Sequence, residues 1–106
     1  MNSLEEIRSR SRSLEEWVLS YTDTLELLYL CAMKDIPVYG WEGWVELSTG
    51  KMSHSKRYQG SVDLGSMSNE SALAWVKQTV MQANREWQVK PEIEGGELLF
   101  CIGIDQ

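Results

Sequence analysis

The sequence predicts a small α+β domain in which helices pack on one face of a mostly antiparallel sheet, in the order α-β-β-(β)-α-β. Three observations lead there. Apolar residues recur at helical spacing in two stretches, 14–32 and 72–87. Between them lies a run rich in aromatic and β-branched residues, Val38 to Leu47, closed by Ser48-Thr49-Gly50-Lys51. The segment from Leu98 to Ile104 is apolar almost without interruption. At 106 residues and 12.2 kDa the chain is one domain with a modest core.

Residues 1–12 read as a loose or helical leader. Ser3-Leu4-Glu5-Glu6 and Ser13-Leu14-Glu15-Glu16 are both capping boxes, in which the serine oxygen takes the amide three residues on. They predict a short first helical turn and then a main helix from Leu14. Between them runs Arg8-Ser9-Arg10-Ser11-Arg12-Ser13, a solvated face by composition, with phosphorylation or anion binding as the alternatives.

Leu14, Val18, Tyr21, Leu25, Leu28 and Ala32 recur at spacings of four and three, as in a heptad seam. The seam can pack on the protein's own sheet. It can also pair with a second copy, a homodimer through Leu14, Val18, Tyr21, Leu25 and Leu28. Asp23 with Glu26 resembles a third capping box, so the helix can break there. Residues 25–33 are apolar nearly all round and are expected to be deeply buried. Pro37 ends this helix.

Val38 to Leu47 is expected to be a strand, turning at Gly50 into a hairpin arm over Met52 to Tyr58. Gly60 to Leu64 reads as a further short strand. Ser68 is the best N-cap for a second helix reaching about Trp87, with Ala72, Leu73, Val76, Val80, Ala83 and Trp87 on one face. Glu94-Gly95-Gly96-Glu97 is a turn. The final strand, apolar on both sides, is expected at the centre of the sheet.

Sixteen acidic residues against ten basic ones give a net charge of −6. Such a chain lacks the cationic surface that nucleic acid or an anionic membrane requires, and neither is expected as a partner. The charge is uneven: residues 14–50 hold seven acids and one base, and residues 91–106 hold four acids and no base. Separated acidic patches suit a protein partner with a basic surface. The acidic candidates for that contact are Glu42, Glu46, Glu92, Glu94 and Glu97.

Two tryptophans join them. Trp41, between Gly40 and Gly43, is the better candidate of the two for exposure, whereas Trp44 is assigned to the core. Trp75 lies about 160° around the second helix from Leu73, on the side of Gln78, Gln82 and Glu86. It is expected to anchor an interface or to be covered by the leader.

No catalytic, metal or nucleotide motif stands in the sequence. His54 is the single histidine, and Ser53 and Ser55 beside it in a strand point away from it. Asp63 can orient it only if the hairpin folds back. Lys51, His54, Lys56 and Arg57 form a further candidate anion-binding cluster. Cys31 and Cys101 lie in apolar runs and are expected to be free and buried. Without an apolar export signal at its start the chain reads as cytoplasmic. No cofactor is expected. The reading that follows is a non-enzymatic protein-binding module, of the kind of small acidic inhibitor or immunity protein carried by bacteria and phages. The alternatives are a structural or adaptor subunit dimerising through the heptad helix, and a small-molecule or phosphate binder.

Overall fold

A computed structural model describes residues 3–58 and 67–105. Among these residues three helices and four strands follow one another as α1 (Leu4–Ser9), β1 (Trp17–Leu19), α2 (Tyr21–Lys34), β2 (Val38–Glu46), β3 (Met52–His54), α3 (Asn69–Val89) and β4 (Glu97–Ile104). The four strands form one antiparallel sheet in the order β1-β4-β2-β3. The predicted α+β class holds, and β4 lies between two neighbours as its apolar run requires. The expected strand at Gly60 to Leu64, and Asp63 with it, lies outside the described residues.

The heptad reading of residues 14–32 is overturned. Three elements share that stretch, not one helix. Ser3 caps α1 as expected, its side chain accepting from the Glu6 amide. At Ser13 the second box forms only a bend: Ser13 Oγ accepts from the amides of Glu15 and Glu16, but the Ser13 amide is taken by Ser11 Oγ. Trp17, Val18 and Leu19 then pair with Ile102, Cys101 and Phe100 of β4. Two of these residues are β-formers, and a strand that completes a sheet outweighs local helix preference. The helix restarts at Tyr21, two residues before Asp23, because Ser20 is the N-cap and accepts from the Asp23 amide. Consequently Leu14 is 97% exposed while Val18 is fully buried, so no continuous stripe exists for a dimer seam. Leu27, Leu28, Leu30 and Cys31 of α2 are buried, but Tyr29 and Met33 are exposed, so burial there is one-sided.

The leader is neither loose nor merely solvated. Ile7 is fully buried in the core. The three arginines grip three different elements. Arg8 donates to the Leu14 carbonyl and lies 4.9 Å from the Trp17 ring centroid. Its Nη1 has no hydrogen-bond partner among the described residues. Arg10 pairs with Asp23 at 3.0 Å and Glu26 at 3.3 Å, next to the positive end of α2. Arg12 reaches Glu46 on β2 at 3.4 Å. Ser11 Oγ donates to the Glu16 carbonyl and accepts from the Val18 amide, and the Arg12 amide donates to the Val18 carbonyl. This segment therefore straps the outer edge of β1, satisfying backbone groups that an edge strand otherwise leaves open.

One face of the sheet carries Leu19, Phe100, Ile102, Val45 and Leu98, which pack with the buried sides of α2 and α3. Gly43 opens this face. A Cβ there would come within 2.9 Å of the Tyr58 Cβ, so glycine lets residues 55–58 lie against β2. The Gly43 amide donates to the Tyr58 carbonyl and its own carbonyl accepts from the Ser55 amide. The hairpin arm is thus shorter than expected: β3 stops at His54 and the chain turns inward.

Candidate functional site

Among the described residues no helix packs on the opposite face of the sheet. Strand alternation places Glu42, Trp44 and Glu46 of β2 on it, because their neighbours Trp41, Gly43 and Val45 point to the core. The register sets Glu42 opposite Cys101, Trp44 opposite Leu99 and Glu46 opposite Glu97. His54 of β3 stands opposite Trp44, with ring centroids 4.7 Å apart. The Trp44 indole N–H donates to Glu42 Oε1 at 3.3 Å.

The assignments of Trp41 and Trp44 are therefore exchanged. Trp41 is half-buried against the core, 5.2 Å from the Phe100 ring and 6.1 Å from the Tyr58 ring, and its indole N–H donates to Thr79 Oγ1 at 2.9 Å. Trp44 is half-buried on the helix-free face and outside the core cluster. A chain irregularity between Val38 and Gly40, with Gly40 at φ 143°, precedes the regular alternation that sends Trp41 inward.

On this face Glu46 and Glu97 are like charges placed directly opposite, an arrangement that destabilises a strand pair unless a cation intervenes. Arg12 supplies one cation, to Glu46. Glu97 is exposed. Towards β1 the face closes over Val18 and Leu99, both fully buried, beside the strap. Cys101 lies half-buried there. Burial, then the nearby carboxylates of Glu16 and Glu42, push its thiol up to about 12. Cys31, buried within α2, is pushed up to about 11 by burial. Both cysteines are free, but Cys101 is less enclosed than expected.

Glu92 does not belong to this surface. Its carboxylate accepts from the Ser55 hydroxyl at 2.8 Å, the Lys56 amide at 2.9 Å and the Arg57 amide at 3.1 Å. Burial alone would raise its carboxyl, yet these three donors outweigh it and hold the group below the usual carboxylate range. Glu86, near the end of α3, anchors the same segment. It accepts from the Tyr58 hydroxyl at 2.9 Å and pairs with Arg57 at 3.6 Å. The Tyr58 and Gln82 donors hold its carboxyl low, while burial and Glu86 push the Tyr58 hydroxyl up to about 12. Sequence reasoning missed Glu86 because Tyr58 and Arg57, which it anchors, lie about thirty residues away. Glu94 is exposed in the turn before β4, apart from the sheet face.

The proposed anion cluster does not converge. His54 sits against Trp44 on the helix-free face, whereas Arg57 engages Glu86 and lies 5.5 Å from the Tyr58 ring on the helix side. Lys51 is exposed in the β2–β3 turn, and Lys56 is exposed with its amide on Glu92. Two clefts among the described residues, of about 440 Å³ beside α1 and β1 and about 340 Å³ between α2, α3 and the start of β4, contain none of these four residues.

Trp75 is half-buried and packs against the core. The expectation of a polar-face tryptophan measured its angle from Leu73, which was counted on the apolar face. The buried line runs instead through Ala72, Val76, Val80, Ala83 and Trp87, leaving Leu73 and Trp75 as its two flanks. The Trp75 carbonyl accepts from Thr79 Oγ1, the same hydroxyl that accepts from Trp41.

Among the described residues no helix is long and apolar enough to cross a membrane, and no group of three or more histidine, cysteine or acidic side chains is placed to hold a metal ion. Comparison of the chain with family models, with curated proteins and with solved structures gave no match.

Proposed function

We propose that this chain is a non-enzymatic binding module that caps a basic surface on another protein through the helix-free face of its sheet. The reading rests on one observation. Glu46 and Glu97 face each other across β2 and β4, with Glu42 and the half-buried Trp44 beside them, and Arg12 reaches this group from the strap. Carboxylates around an accessible indole offer a partner's cationic side chain both charge and a flat apolar surface. A binder of this kind acts as a small inhibitor or immunity protein acts, by occlusion rather than chemistry. Two free, shielded cysteines suit a reducing compartment, and we place the protein in the cytoplasm.

The test is an affinity capture from the native host with three baits. These are the wild type, the triple variant Glu42→Gln/Glu46→Gln/Glu97→Gln, and a control of equal charge change, Glu5→Gln/Glu6→Gln/Glu94→Gln. The expected result is a protein retained by wild type and control, lost by the triple variant, and released as salt rises from about 0.05 M to about 0.5 M, where screening shortens the reach of the carboxylates. Equal retention by all three baits at high salt refutes the proposal.

A further inference from the structure

Resting on that reading, we infer that Arg12 occupies, in the free protein, the place of a partner's guanidinium, and that Glu46 and Glu97 form the subsite for an arginine side chain of the partner. The strap that carries Arg12 is held by its own bonds. Ser11 is fixed between the Glu16 carbonyl and the Val18 amide, and the Arg12 amide is fixed to the Val18 carbonyl. Those bonds run along β1 and do not involve the Arg12 guanidinium. The side chain then extends to Glu46, two strands away in the sheet order, and meets it through Nε at 3.4 Å.

Its Nη1 donates to the Arg10 carbonyl at 3.0 Å, so the guanidinium is shared between the strap backbone and Glu46. A 3.4 Å ion pair between partly exposed groups is weak and readily exchanged. A free arginine arriving from solvent can meet Glu46 edge-on through two N–H groups, the stronger geometry, with Glu97 directly across the strand pair as a second acceptor. Trp44, two residues before Glu46 on the same face, offers its ring to the planar cation. The internal arginine thus relieves the like-charge pair when the face is empty and is displaced when a partner binds.

The probe is a hexa-arginine peptide, titrated into the full chain by calorimetry at low salt. Arg12→Gln removes the internal competitor and is expected to tighten binding roughly two- to fivefold, the range of an exposed ion pair. Lys90→Gln makes the same change in net charge at an exposed position after α3 and is expected to tighten it less. The gain is expected to vanish when Glu46→Gln and Glu97→Gln are added to Arg12→Gln. Arg12→Lys, which keeps the charge, is expected to bind close to the wild type, and circular dichroism checks that each variant folds. Equal tightening by Arg12→Gln and Lys90→Gln, or none by Arg12→Gln in a folded variant, overturns the inference while leaving the acidic face standing. Binding that is indifferent to Glu42, Glu46 and Glu97 overturns the face itself.

Discussion

Truncating Glu92 separates a structural carboxylate from a recognition carboxylate. Its three hydrogen bonds differ in worth. The amides of Lys56 and Arg57 belong to exposed residues, so each can turn to water when the carboxylate is lost. Ser55 cannot, because it is fully buried. Its hydroxyl still accepts from the Tyr58 amide but loses the acceptor for its own proton. An unsatisfied buried donor costs about 1–3 kcal/mol, and the two weakened amide contacts add a fraction of that. Glu92→Ala is therefore expected to lower stability by about 2–3 kcal/mol. Glu92→Gln keeps a carbonyl oxygen for Ser55 and Arg57 but sets an amide donor against the Lys56 N–H, so it loses one hydrogen bond and the charge assistance, at about 1–2 kcal/mol.

Urea denaturation followed by tryptophan fluorescence measures both. The pH dependence has a defined sign. The folded Glu92 and Glu86 carboxyls lie below their unfolded values, so their contribution is complete above the ordinary carboxylate range. It is lost as pH falls through the lower, folded values. Glu92→Gln should accordingly flatten the acid limb of the stability curve. Changes within about 0.5 kcal/mol for Glu92→Ala, the size of an ordinary surface substitution, would refute the argument. So would a loss of hexa-arginine binding with stability intact.

Phe100→Ala is expected to destabilise the fold by about 3–5 kcal/mol, because the ring is fully buried on the central strand against Trp41 and Tyr21; the shift in denaturation midpoint reads it. Leu14→Ser is expected to change stability by less than about 0.5 kcal/mol and to leave the sedimentation coefficient unchanged, since Leu14 is exposed and its neighbours in the apparent seam point elsewhere. Both cysteines are expected to react slowly with a thiol reagent at neutral pH, with Cys101 labelled before Cys31 because it is less buried although its thiol is the higher; the order of labelling by mass spectrometry checks this.

The elements whose causes are local were legible in the sequence. Ser68 before a regular apolar stripe places α3, Gly50 places the β2–β3 turn, and the apolar run at the end of the chain places β4 at the centre of the sheet. The alternation Glu42-x-Trp44-x-Glu46 also stood in the sequence as a signal that these three share one sheet face. What remained hidden was which face. A strand's period of two says which residues stand together but not which set is covered, and the answer depends on α3 packing over Trp41 and Val45. The same limit misled the reading of residues 14–32. Spacings of three and four describe a helix only if the chain is helical throughout, and β4 offers Trp17–Leu19 a ladder that local propensity cannot weigh. The Arg-Ser tract fixes α1, α2, β1 and β2 to one another through partners as far as thirty-four positions away, from Arg12 to Glu46. Composition registers such residues as solvated charge. Only the tertiary structure, by closing those distances, decides that they are a strap and that Glu46 already holds a cation.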